Sequence, residues 1–138
     1  MAVFLIWLSL IGILGTWCPV AHAGHEFDET IDTVKPEQVK LFLGGGEKLV
    51  LVDLRPVKEF KEKRLPGAVS IPVTELDRRF SEIPRAGRVV LYCGCAPGGA
   101  DESYSYLYLR EKGYRNVTIM EGGFSDWLKR NFPVEAGR

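Results

Sequence analysis

Charge of neither sign is in excess in this chain: 18 Lys and Arg balance 18 Asp and Glu. A net charge of zero leaves no electrostatic footprint for nucleic acid, so no nucleic-acid partner is expected. Internal repeats and low-complexity tracts are absent, and at 138 residues with 46% hydrophobic content there is room for one ordinary packed domain. Histidine is scarce, with only His22 and His25. A structural zinc wants four ligands, so the residue supply argues against such a site, and no metal or other cofactor is expected. Cysteine is scarce too: Cys18, Cys93 and Cys95 are the whole set.

No charged side chain occurs before Glu26, and residues 2–15 are almost wholly apolar. Ala21-His22-Ala23 supplies small residues where a signal peptidase reads them, which predicts an export signal over 1–23, cut before Gly24. No Lys or Arg precedes the apolar run, so an uncleaved anchor is the alternative; residues 2–21 approach the roughly 20 needed to span a bilayer. The bulky Trp17 before Cys18 argues against a lipoprotein acceptor. Either way a single domain, 24–138, is expected outside the cytoplasm, in a bacterial periplasm. It meets a membrane only if the leader stays.

Export leaves Cys93 and Cys95 as the mature pair. A structural disulfide clamps loops of useful length, and one intervening residue clamps almost nothing. The pair therefore reads as reactive. It follows an apolar, β-branched run, 88–92, that reads as a buried strand. The loop Gly94-Cys95-Ala96-Pro97-Gly98-Gly99-Ala100 comes next, too rich in Gly and Pro for regular structure, and a helical pattern starts near Asp101-Glu102-Ser103. A loop whose N–H groups turn inward, followed by a helix N-terminus, favours a thiolate.

The rest of 24–138 alternates strand with helix. A short edge strand is expected within 26–34, and a helix opens at Pro36 and ends at Gly44-Gly45-Gly46. Residues 49–54 form an aliphatic run of the kind covered on both faces, 57–63 a short helix, and 69–72 a strand stopped by Pro72. A brief helical segment is expected over 75–80. Tyr104, Leu107 and Tyr108, widened by Leu109, give the long helix its apolar face up to Gly113. Residues 117–120 read as a strand, and Gly122-Gly123-Phe124 begins a last helix through Trp127 and Leu128. Such alternation implies an α/β fold: a mainly parallel sheet with helices on both faces and sites at the carboxyl ends of its strands.

Four signatures in order carry a family resemblance. They are Asp53-Leu54-Arg55-Pro56 through Glu59-Phe60 with Leu65-Pro66-Gly67-Ala68; Val89-Val90-Leu91-Tyr92-Cys93; Gly113-Tyr114-Arg115-Asn116-Val117; and Glu121-Gly122-Gly123-Phe124-Ser125-Asp126-Trp127. From about Thr30 to Val134 the chain resembles a rhodanese domain. The resemblance implies a three-layer sandwich around a central five-stranded sheet. It also implies sulfur transfer: Cys93 takes sulfane sulfur from a small donor, carries it as a persulfide, and passes it to a thiol or protein acceptor. Asp53, Arg55 and Glu59 are implied to brace the loop.

The departures are specific. The common loop is shorter and often carries an arginine that grips an anionic donor. Here 93–103 has no basic residue and contains Asp101 and Glu102, and Arg64 replaces a frequent histidine. The chain resembles instead a Cys-x-Cys subgroup with an acidic loop residue, which puts thiosulfate as physiological donor in doubt. Asp101 and Glu102 read as helix caps worth roughly 1 kcal/mol, or as groups that turn the site away from dianions. Cys95 reads as a resolving thiol, a second sulfur carrier, an inert loop residue, or half of a clip for a soft metal ion. A non-catalytic or thiol-redox module is the alternative function. A phosphatase or arsenate reductase wants Cys-x5-Arg, and the residues at that spacing are Gly99 and Asp101. The oligomeric state leaves no mark in the sequence.

Overall fold

Val89, Val90, Leu91 and Tyr92 are all fully buried, and their side chains divide between two separate cores. Val89 and Leu91, with Cys93 after them, join one cluster; Val90 and Tyr92 join the other. A strand turns successive side chains to opposite faces, so this division means that both faces of the strand are covered. In a computed structural model that describes residues 30–94 and 99–137, this strand lies at the middle of the fold. The leader, Cys18, His25, Cys95, Ala96, Pro97 and Gly98 lie outside the described residues.

The strands and helices run β1 (Thr33–Val34), α1 (Pro36–Gly44), β2 (Leu49–Asp53), α2 (Val57–Glu62), β3 (Lys63–Arg64), β4 (Val69–Ser70), α3 (Leu76–Arg79), β5 (Arg88–Tyr92), α4 (Ala100–Glu111), β6 (Val117–Met120), α5 (Gly123–Lys129) and β7 (Glu135–Ala136). Five strands form one sheet in the order β1-β6-β5-β2-β4. Every pairing in it is parallel, with Asp53 opposite Tyr92 and Leu91 opposite Ile119. This is the α/β architecture expected from the alternation, with β1 at the sheet edge.

Each face has its own core. Leu76 of α3 and Tyr106 and Leu109 of α4 pack with Val89, Leu91 and Ile119 on one side. Val39 of α1 and Phe124 and Trp127 of α5 pack with Val90, Tyr92 and Met120 on the other. Burying each such side chain contributes about 1.5–3 kcal/mol, and the sum is what opposes chain entropy.

Two expectations need correction. The inward face of α4 is Glu102, Ser105, Tyr106 and Leu109, whereas Tyr104 and Leu107 are 54% and 43% exposed. Leu109 is in the core and Tyr108 packs against it as expected, but the helix turns two polar residues into the protein near its start and leaves Tyr104 and Leu107 outside. Residue 63 does not close α2 but opens β3, which pairs antiparallel with β7 outside the main sheet. Two-residue strands of Lys-Arg and Glu-Ala carry no strand pattern to read.

Candidate active site

β5 ends at Tyr92, whose carbonyl accepts from the Leu54 N–H at 2.9 Å, and the next residue is Cys93. The main chain is then held on three sides. Cys93 O accepts from the Phe124 N–H at 2.7 Å, and Gly94 O accepts from the Ser125 hydroxyl at 2.9 Å. The Cys93 N–H donates to Glu102 Oε1 at 3.0 Å. Helices α4 and α5 thus grip the cysteine through its backbone and fix where its side chain begins.

The close approach of α5 depends on Gly122 and Gly123, with φ of +69° and +55°, the left-handed region where a Cβ is strained. A Cβ on Gly123 would fall inside 3.0 Å of the Cys93 carbonyl oxygen, and 3.2 Å from Glu102 Oε1. The pair lets the last helix start close against the cysteine's carbonyl.

Asp53, Arg55 and Glu59 stand together on the opposite side of Gly94. Asp53 is fully buried and Arg55 is 4% exposed. Arg55 Nε donates to Asp53 Oδ1 at 2.9 Å, and a second guanidinium nitrogen donates to Oδ2 at 2.6 Å. That nitrogen also donates to the Lys63 carbonyl at 2.8 Å, and Glu59 lies 3.7 Å from the guanidinium. The guanidinium lies over the Phe124 ring at 3.8 Å, and a Cβ on Gly94 would sit 3.1 Å from Arg55 Cδ. Burial works against the Arg55 charge, but the bonds and charge of Asp53 outweigh it and hold its pKa above the ordinary value. Burial, reinforced by the Asp53 charge, pushes the Tyr92 phenol up.

A cleft of about 630 Å³ opens over Cys93 and Gly94, between the β2–α2 connection and the start of α4. Its charged lining among the described residues is Arg55, Glu59, Glu75 and Asp101. Arg55 is committed to Asp53 and Glu75 is paired with Arg79 at 2.9 Å. Among the described residues this leaves Glu59 and Asp101, so the cleft is acidic on balance.

Of the residues singled out in the sequence, Cys93, Gly94, Asp101, Arg55 and Glu59 line this cleft, and Asp53 lies beneath Arg55. Gly99 and Ala100 form the entry to α4, and Ser103 sits in its first turn with its N–H on Gly99 O. Asp101 and Glu102 part company: Asp101 is exposed on the cleft, while Glu102 is 4% exposed. Burial pushes the Glu102 carboxyl above the usual carboxylate range, against the opposing pull of the Cys93 N–H. Among the described residues, no cluster of three or more His, Cys, Asp or Glu could hold a metal ion.

The sheet and the gripped cysteine define a class: an α/β domain that presents a thiol at the carboxyl edge of a parallel sheet. Residues 35–130 match the rhodanese-like domain family, and the chain belongs to it. The Sulfurtransferase of Allochromatium vinosum is 30% identical over 106 residues, covering 77% of this chain and 96% of that protein. The Thiosulfate sulfurtransferase GlpE of Glaesserella parasuis is 27% identical, over 80% of this chain and 98% of that one. Among solved structures, the BH2092 protein of Bacillus halodurans superposes with a TM-score of 0.67 at 24% identity, covering 76% of this chain and 77% of that one. Relatives with these names support a sulfur-transfer role in general, with sulfur donors and acceptors as partners in general.

Proposed function

We propose that this protein is a sulfurtransferase that carries sulfane sulfur as a persulfide on Cys93. The observation that carries the reading is the cysteine's place: at the end of the central strand, on the floor of an acidic cleft, with its backbone held from α4 and α5. A free thiol titrates near about 8.5, and its thiolate is the nucleophile. In the first step the Cys93 thiolate attacks the outer sulfur of a donor R–S–SH. The bond between the two donor sulfurs breaks, R–S⁻ leaves with its electron pair, and Cys93–S–SH forms. In the second step an acceptor thiolate takes that outer sulfur and regenerates the Cys93 thiolate. Neither step needs an oxidant or a metal.

The acidic lining favours donors of low negative charge, such as persulfides of neutral or cationic thiols, over a dianion such as thiosulfate. Two like charges about 7 Å apart at an effective dielectric near 20 repel by roughly 2 kcal/mol. Asp53, Arg55 and Glu59 act as the brace of the loop, and Cys95 as a second thiol within it. The apolar run over residues 2–15 supports an exported protein as the setting of this chemistry.

The test is intact mass after incubation with a persulfide donor or with thiosulfate, for the wild type, Cys93→Ser and Cys95→Ser. The reading expects a gain of one sulfur that survives in Cys95→Ser and disappears in Cys93→Ser, with the persulfide donor the more effective. Facile Cys93–Cys95 oxidation with no sulfur gained from any donor would replace it with a thiol-redox module.

A further inference from the structure

Acids near a helix start ordinarily stand in solvent and cap orphan N–H groups. Glu102 does more. Its carboxyl accepts from the Cys93 N–H at 3.0 Å, nine residues back along the chain. Glu102 lies in the first turn of α4, just after Gly99, so this one bond joins Cys93 to the chain on the far side of residues 94–98. Gly123 of α5 closes over the same group, a Cβ there lying 3.2 Å from Oε1.

Among the described residues, the charged groups around this carboxyl do not neutralise it. Asp101, on its own helix, acts on it with the same sign. Beyond Gly94, Arg55 is held by Asp53, with Glu59 alongside. On α5, Asp126 is held by Arg130. At the end of β6, Glu121 accepts from the Thr33 hydroxyl. Among the described residues, the remaining titratable neighbour is Cys93 itself. Three covalent bonds separate its nitrogen from Sγ, so the sulfur stays within about 7 Å of the carboxyl in every rotamer.

We propose that Glu102 is a positioning residue for Cys93: it ties the two ends of the loop together, and its charge sets the pH at which the thiol ionises. The inference rests on Cys93 being the reactive thiol. Carboxylate and thiolate compete, and their protons leave in two coupled steps. At about 7 Å and an effective dielectric near 20, the coupling amounts to roughly 1–2 pH units. The burial that raises the carboxyl acts in the same direction as this competition.

Glu102→Gln keeps an oxygen that accepts the Cys93 N–H and removes the charge. The rate of Cys93 alkylation by iodoacetamide is measured against pH, with peptide fragmentation separating Cys93 from Cys95. The expected result is a midpoint about 1–2 units lower than in the wild type. Glu102→Ala, which also removes the acceptor, is expected to speed hydrogen exchange at the Cys93 amide by about tenfold, while Gln leaves it unchanged. A Gln profile that coincides with the wild type would reduce Glu102 to a helix cap. Unchanged exchange in Ala would remove the tie. A measurement on the wild type does not depend on either variant folding: carbon-13 titration of the Glu102 carboxyl before and after Cys93 is capped with a neutral group. Two inflections that become one support the coupling, and identical curves refute it. None of these readouts involves sulfur transfer, so a protein that never gains sulfur would overturn the proposed function and leave this inference open to its own result.

Discussion

Gly123→Ala tests how far the reactive cysteine depends on the start of α5. Gly123 has φ of +55°, and a Cβ there falls inside 3.0 Å of the Cys93 carbonyl oxygen. Left-handed strain costs about 1–2 kcal/mol for a residue with a Cβ. The collision is with backbone, which no rotamer change relieves, so overpacking adds about 1–3 kcal/mol. Gly46→Ala is the matched control, since Gly46 has φ of +71° with nothing within 4 Å of its Cβ. That variant should lose only the strain. Equilibrium urea unfolding of both variants against the wild type gives the difference, expected at about 1–3 kcal/mol in favour of Gly46→Ala. Relief of the collision moves Cys93 by a few tenths of an ångström or more and weakens the Phe124 N–H bond to it. For a bound, oriented donor a misplacement near 1 Å lowers turnover by about 100-fold. Sulfur transfer to Cys93 should therefore slow sharply in Gly123→Ala and stay at the wild-type rate in Gly46→Ala. Equal stability losses with equal transfer rates would refute the claim that α5 sets the position of the cysteine.

Two other perturbations follow from the buried charges. Arg55→Ala leaves Asp53 buried without its cation and should cost about 3–5 kcal/mol in urea unfolding. The Asp53→Ala/Arg55→Ala double variant should lose clearly less than the sum of the singles, and strict additivity would deny the pair its coupling. Glu102 has a folded pKa above its unfolded value of about 4.3. The stability it contributes is therefore fully present below the unfolded value and lost as pH rises through the folded one. Wild-type stability relative to Glu102→Gln should fall as pH increases over that window, and a rise would contradict the burial that lifts the group.

The sequence carried the frame of the site because the frame is built from strongly patterned pieces. The run Val89-Val90-Leu91-Tyr92 reads as a strand covered on both faces, and it places Cys93 at the sheet's carboxyl edge. Asp53-Arg55 and Gly122-Gly123 are short-range signals whose partners lie close in sequence or depend on backbone conformation alone. The inward turn of Glu102 was not legible. Its contact with Cys93 spans nine residues across an irregular loop, and no periodicity sets the rotation of a helix entered that way. The usual guide, an apolar face, held for Tyr108 and Leu109 but failed at the helix start, where Glu102 and Ser105 occupy inward positions while Tyr104 and Leu107 face out. Asp101 and Glu102 looked alike as helix-capping acids, and only their burial separates the one on the cleft from the one beneath the cysteine. The β3–β7 ribbon was missed because two residues on each side leave no alternation to detect.

Persulfide formation at Cys93 tests the central claim most directly. After incubation with a low-charge persulfide donor and removal of excess reagent, peptide fragmentation should place one added sulfur on Cys93 in the wild type and in Cys95→Ser. Cys93→Ser should gain none. An added sulfur that persists in Cys93→Ser, or no added sulfur with any donor, would contradict the account.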